Sequence, residues 1–258
     1  MAIAANVSER IKSRALRGAP ALVPYLTAGF PTKDAFAQQL RAVQPHAALV
    51  EVGVPFSDPM ADGATIQGSS RKAIENGVTL DWILSSLAAL KGSLTAPVAL
   101  MSYLNPLINL GMDGLASRCA DAGVSLLIIP DLPLEESDGL RSALHARGVG
   151  MVQLVSPVTP RERAERLAKA SDGFLYAVTV TGVTGGNSPA AQGANTDEYL
   201  SHLRQVSPVP VCAGFGIKSR EQVRALTGKA DGAIVGSALI SAIERGEDAG
   251  AFLASLAS

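Results

Sequence analysis

Two acids and two glycine-rich turns are the parts of this sequence whose residue types and spacing could do chemistry. The acids stand in EVGVPFSDPMADGATIQ, residues 51–67. Glu51 continues the apolar run Ala47-Ala48-Leu49-Val50, so it extends a strand that reads as buried. Desolvation raises the pKa of a carboxyl group so placed. A carboxyl that titrates near neutrality can shuttle a proton as a general acid and base. Asp62 follows Pro55 and Pro59, which limit the freedom of the connecting loop, and it could return to the same pocket with a second role. Asp58, between the prolines, could lock the loop or face outward. Two plainer readings stay open on composition alone: Glu51 could pair with a nearby Lys or Arg, and Asp62-Gly63 is an ordinary turn dipeptide.

The turns are AGFGIKS, residues 213–219, and VGSALI, residues 235–240. A phosphate needs several backbone N–H donors, and glycine lets the backbone approach without a Cβ in the way. Gly214, Phe215, Gly216 and Ile217 on one side would converge with Gly236 and Ser237 on the other. Ser237 adds a hydroxyl and opens a helix whose N-terminus carries partial positive charge. Either turn alone could simply be tight; as a pair they favour a phosphorylated small molecule as substrate.

Other chemistries find little support. His46 and His145 flank helix ends and His202 lies on a helical face, positions that suit surface or capping roles. No H-x-H, H-E-x-x-H or C-x-x-C spacing suggests a metal, and no G-x-S-x-G elbow suggests a serine hydrolase. No lysine stands at a strand end in position for a Schiff base. Cys119 and Cys212 sit in apolar contexts and read as buried free thiols. A formal net charge of −1, with Lys and Arg spread along the chain, gives no nucleic-acid footprint. The N-terminal MAIAANVSERIKSRALRG turns charged before a signal-peptide core could form, and no apolar run is long enough to span a bilayer. The expectation is a soluble, cytoplasmic chain.

These residues need elements to hold them. Short apolar runs over 21–27, 47–52, 97–101, 124–129, 150–155, 173–179, 209–213 and 232–235 read as strands covered on both faces. Helical patterns over 33–43, 80–90, 113–121, 135–146, 161–169, 196–206, 219–226 and 237–244 alternate with them. Thr32, Thr79, Thr159-Pro160 and Thr196 stand as start signals. A further amphipathic piece over 7–16 could plug the bottom of the structure. Eight strand–helix units in 258 residues, without a linker, point to a single (β/α)8 barrel domain over 1–258. A doubly wound open sheet competes, but no G-x-G-x-x-G follows the first strand. Both acids and both turns then fall on the working face, at the C-terminal strand ends. The loop TVTGVTGGNSPAAQGAN, 179–195, is too long for an ordinary connection of about 2–6 residues and suggests a mobile lid after strand 6.

The stretches ALVPYLTAGFPT, EVGVPFSDPMADGATIQ, YLNPL, IIPDLPLEE, GFLYAVTVTGVTGG, AGFGI and GAIVGSALI follow the order seen in tryptophan synthase alpha chains. The sequence resembles that family from about residue 7 to 250, and the stretch 51–67 is its most specific part. The resemblance implies cleavage of indole-3-glycerol phosphate to indole and glyceraldehyde 3-phosphate, without a cofactor. Under it, Glu51 is the acid/base that protonates C3 of the indole and helps deprotonate the glycerol hydroxyl. Asp62 hydrogen-bonds the indole N–H and stabilises its developing charge. Tyr176 stands beside the glutamate, Tyr103 is an aromatic contact, and Leu22, Leu100 and Leu127 are apolar walls for the indole. Thr184 is the lid threonine that closes toward Asp62 and excludes water. Gly185, Gly214, Phe215, Gly216, Gly236 and Ser237 match phosphate-binding positions, with Ile234 beside them in the substrate site.

The resemblance also implies a partner, a beta chain dependent on pyridoxal phosphate in an alpha2beta2 complex, faced by residues 55–60 and the loop around Asn105-Pro106. Three departures stand out: Ala64 where a proline is usual, Ser125 where an aspartate is expected in a turn, and an unusual lid over 183–195. Three rival functions remain: a stand-alone lyase that releases free indole, a catalytically silent module that activates a beta chain, and another phosphate-sugar isomerase or aldolase on the same barrel.

Overall fold

The computed structural model describes residues 2–16, 18–178, 194–214 and 216–257; Thr184, Gly185 and Phe215 lie outside the described residues, as does most of the 179–195 loop. Eight parallel strands form a closed barrel: β1 (Ala21–Thr27), β2 (Val50–Gly53), β3 (Val98–Met101), β4 (Val124–Ile128), β5 (Gly150–Val155), β6 (Leu175–Val178), β7 (Val211–Gly214) and β8 (Gly232–Val235). The last strand returns to the first, pairing Ala21 with Gly232 and Pro24 with Val235. That closure overturns the open-sheet alternative, which needs two unpaired edges.

Strand alternation sorts the apolar residues into two layers. Val23, Ala99, Leu126, Ile128, Val152, Phe174 and Cys212 fill the interior. Leu22, Leu26, Val50, Val52, Leu100 and Leu127, at the alternate strand positions, face outward, in the layer that also buries Phe36, Leu40, Leu87 and Leu144. The surrounding helices are α1 (Ala2–Ala15), α2 (Ala35–Val43), α3 (Ala64–Glu75), α4 (Leu80–Leu90), α5 (Leu104–Ile108), α6 (Met112–Asp121), α7 (Asp138–Ala146), α8 (Arg161–Ala170), α9 (Ala194–Val206), α10 (Arg220–Arg224), α11 (Ser237–Glu244) and α12 (Ala249–Leu256).

Helix α1 is the expected plug. Val7 and Ile11 are fully buried and join the interior cluster from below. Three of its polar side chains donate to backbone carbonyls there: Ser8 Oγ to Gly173 (2.6 Å), Arg10 Nε to Ala48 (3.1 Å) and Arg14 to His46 (2.9 Å).

Several boundaries move. Strand β2 starts at Val50, because a 3-10 turn over Gln44–His46 leaves Ala47 only an isolated bridge to Leu22. Helices α3, α5 and α12 go beyond the sequence reading. Gly68, Ser69 and Ser70 weaken the local helical preference of α3, but the tertiary fold overrides it. Ser69 is buried, with its hydroxyl 2.7 Å from that of Thr27. Thr79 does cap α4, accepting from the Trp82 N–H at 3.2 Å. Thr159 does not cap α8; its hydroxyl turns back to the Ser156 N–H, and Pro160 takes the cap position. Thr196 lies inside α9 rather than before it. Ser125 is in β4 itself, not in a turn.

Candidate active site

Glu51 takes an inward place in β2, because Val50 and Val52 on either side face the helices. It pairs with Tyr25 of β1 and Ala99 of β3. The residue is fully buried, and neither carboxylate oxygen has a hydrogen-bond partner among the described residues. Burial, and then the negative field of Asp62, push its pKa up from 4.5 to about 8. At neutral pH the group therefore holds its proton and can both give and retake it.

Asp62 reaches the same cavity from the loop before α3. The first turn of that helix fixes its backbone: Gln67 Nε2 donates to the Asp62 carbonyl (2.8 Å), and the Gln67 N–H donates to Gly63 (2.9 Å). Burial raises its pKa, opposed by a hydrogen bond with Tyr103. The Tyr103 hydroxyl also accepts from the Ala61 N–H at 2.9 Å, and its ring packs on Phe56 at 5.2 Å. Tyr103 thus braces the Asp62 loop from behind; burial first of all pushes its own pKa to about 12.

Two phenols flank the glutamate. Tyr25 and Tyr176 both have raised pKa values, caused first by burial and reinforced by Glu51. Each leans over a glycine. A Cβ on Gly53 would overlap the Tyr25 phenol, and one on Gly214 would press Tyr176 at 3.0 Å. The missing side chains are the space that the rings occupy.

The cavity between these groups measures about 190 Å3. Glu51, Asp62, Tyr25 and Tyr176 form one side; Gly214, Gly216, Gly236 and Ser237 form another, where α11 begins without a side-chain cap among the described residues. Ile66, Met101, Leu154 and Ile234 supply apolar wall. A wider hollow of about 560 Å3 lies against α1 at the other end of the barrel, lined by helix-face residues such as Ser8, Glu9 and Lys12. The smaller cavity is the one that holds a buried acid. Among the described residues, no group of three or more His, Cys, Asp or Glu is placed to hold a metal ion.

Of the residues expected from sequence, the structure brings Glu51, Asp62, Tyr176, Gly214, Gly216, Ile234, Gly236 and Ser237 to this cavity. It does not bring Leu22, Leu100 or Leu127 there. These three are buried in the outer layer, because each is one residue out of step with the inward positions. Met101, the neighbour of Leu100, lines the cavity instead. Asp58 is exposed, with its carboxylate hydrogen-bonded by Ser57 Oγ. Tyr25, Ile66, Met101, Pro130 and Leu154 were missed. Counting alternate residues from Glu51 across the paired strands would have found Tyr25.

The comparisons with known proteins agree with this geometry. The family model for the tryptophan synthase alpha chain matches residues 11–256. A tryptophan synthase alpha chain of Nitratidesulfovibrio vulgaris is 43% identical over 251 residues, 97% of each chain. One from a Picosynechococcus strain is 44% identical over 246 residues, 95% of this chain and 92% of the relative. A crystal structure of tryptophan synthase from M. tuberculosis superposes with a TM-score of 0.87 at 31% identity, covering 97% of this chain and 96% of that one. The tryptophan synthase α2β2 complex of Pyrococcus furiosus contains a chain that superposes with a TM-score of 0.82, also at 31% identity, over 92% of this chain and 97% of that one. A match over nearly the whole length, on a barrel of the same form, makes this chain a member of the tryptophan synthase alpha chain family, the lyases that cleave indole-3-glycerol phosphate.

Proposed function

We propose that the chain works as one barrel domain in the cytoplasm, on the tryptophan pathway, and that Glu51 and Asp62 divide the cleavage of indole-3-glycerol phosphate between them. Glu51 donates its proton to C3 of the indole, which becomes tetrahedral, and positive charge moves to the ring nitrogen. Asp62 accepts the ring N–H and stabilises that charge. The carboxylate left on Glu51 then takes the proton of the hydroxyl on the carbon attached to C3. The carbon–carbon bond breaks, its electrons return to the ring, and glyceraldehyde 3-phosphate leaves as the aldehyde. Every proton that Glu51 gives it receives back, so the scheme needs no cofactor. Ser237 and Gly236 at the start of α11, with Gly214 and Gly216 at and just after the end of β7, hold the phosphate.

One observation carries this reading: a fully buried carboxyl, without a partner among the described residues and with its pKa pushed up to about 8 by burial, faces a cavity shared with a second acid. Indole release from indole-3-glycerol phosphate tests it. Glu51→Gln should abolish release, and full activity in that variant would overturn the mechanism. Asp62→Asn should lose activity while still binding phosphate; equal loss of both would make Asp62 structural.

The proposed partner is a beta chain dependent on pyridoxal phosphate, in an alpha2beta2 complex like that of P. furiosus. Met60, after β2, is 78% exposed, and Ile108, after β3, is 56% exposed. Apolar side chains left in water at the working face suit a protein partner. A cognate beta chain should raise the rate of indole formation. Strong activity alone, unchanged by that chain, would favour a stand-alone lyase.

A further inference from the structure

At the bottom of the barrel, bordered by α1, α4 and the first residues of β3 and β4, lies a separate cavity of about 390 Å3. Two of the polar side chains that line it leave hydrogen-bonding groups without a protein partner among the described residues. Arg10 uses its Nε on the Ala48 carbonyl at 3.1 Å, and its two terminal amino groups meet no acceptor among the described residues. Ser125 is only 7% exposed, and its hydroxyl has no partner among the described residues.

Ser125 is there because the strand register breaks beside it. Val98 pairs with Val124 and Ala99 with Leu126, so Ser125 is the extra residue of a bulge. A bulge re-aims the side chain that it carries; here it turns a hydroxyl into the cavity instead of into a strand layer. A third polar group, Lys91 Nζ, stands at the rim and donates to the carbonyls of Ala120 (2.9 Å) and Asp121 (3.2 Å). No acidic side chain is among the described residues that line the space. A guanidinium fixed through Nε still presents its two amino groups as a fork, the geometry that fits a carboxylate. A hydroxyl donor that lines the same cavity, with no acidic side chain among its described lining, completes a site for an anion.

We infer that this cavity binds a small carboxylate, held by the Arg10 guanidinium and by the Ser125 hydroxyl. The site lies at the opposite end of the barrel from Glu51, so it is independent of the catalytic reading. The volume is many times the roughly 30 Å3 share of one water, which leaves room for an organic acid.

Titration of the 15N-labelled protein with sodium acetate, against sodium chloride at equal ionic strength, tests the inference. The amide signals of Ser125, Leu126 and Ala48 should shift saturably in acetate and not in chloride. Arg10→Gln should weaken acetate binding about ten- to a hundredfold, the effect of losing a charge-assisted hydrogen bond. Ser125→Asp carries its own carboxylate into the cavity, so it should raise the unfolding midpoint and no longer respond to acetate. Equal, non-saturating shifts in both salts would overturn the inference. So would undiminished acetate binding in either variant, provided its circular dichroism matches that of the parent.

Discussion

The two ends of the barrel are built from the same strands and, apart from the cavity at Arg10 and Ser125, treat buried polarity in opposite ways. At the N-terminal end, α1 seals the interior with Val7 and Ile11, and Ser8, Arg10 and Arg14 donate to the backbone carbonyls of Gly173, Ala48 and His46. At the C-terminal end, Glu51 is just as deeply buried, yet neither of its oxygens has a partner among the described residues. Leaving such a group unpaired costs stability. The contrast teaches that stability and chemistry are separated along the barrel axis, with cost concentrated where substrate must bind.

The hardest test of that separation is Glu51→Gln. It should lower kcat for indole release by about 10^3-fold or more, within the range for losing a general acid and base. Single-turnover assays beside thermal unfolding would decide. A parallel drop in both would mean that Glu51 holds the barrel together.

The same group should also make stability depend on pH. Its pKa in the fold is about 8, above the ordinary 4.5, so the fold holds a proton that the unfolded chain releases between those values. The stability linked to that proton is complete below about pH 4.5 and is lost as the pH rises to about 8. Glu51→Gln has no proton to lose. The variant should match the parent near pH 4.5 and exceed it above pH 8 by on the order of 4 kcal/mol, at roughly 1.4 per pH unit. Urea unfolding at the two pH values measures the difference. A constant gap would mean that the carboxyl is better solvated than its burial implies.

Ile11→Ala probes the opposite end. Removing a fully buried side chain from the plug should cost about 3 kcal/mol through lost burial and the cavity left behind. Below the unfolding transition, kcat should stay within about twofold of the parent, because Ile11 belongs to the plug and does not line the cavity at the mouth. A large loss of kcat at unchanged stability would show that the bottom of the barrel controls the chemistry.

The sequence was easiest to read where residue type and period agree. Eight apolar runs gave eight strands, and the amphipathic stretch over 7–16 gave the plug. Glu51 was legible because a single acid interrupts a buried run. The helix α3 was not, since Gly68, Ser69 and Ser70 argue locally against it and only the Thr27 contact reveals why they are tolerated. The apolar walls of the site failed for a different reason. In a strand covered on both faces, Leu22, Leu100 and Leu127 look the same as their inward neighbours, and a shift of one residue exchanges the layers. Tyr25 went unnoticed because its role depends on a cross-strand pair with Glu51 and on the space over Gly53, neither of which is local in the chain.

The smallest test makes one substitution, Ser→Ala, at both ends. Ser8 Oγ donates to the Gly173 carbonyl at 2.6 Å from a part-buried position. Ser8→Ala leaves that carbonyl to water and should cost about 1 kcal/mol of stability, the net worth of one such bond, with KM unchanged. Ser237 lines the cavity of Glu51 and Asp62 at the first residue of α11, and its hydroxyl makes no bond that holds the fold among the described residues. Ser237→Ala should leave the unfolding midpoint in place and raise KM for the phosphorylated substrate about fivefold, also near 1 kcal/mol. Equal energies would then surface in different measurements, one in folding and one in binding. If Ser237→Ala shifted the midpoint and spared KM, the turn after β8 would be architecture rather than a phosphate site, and the division between the two ends would fail at its weakest link.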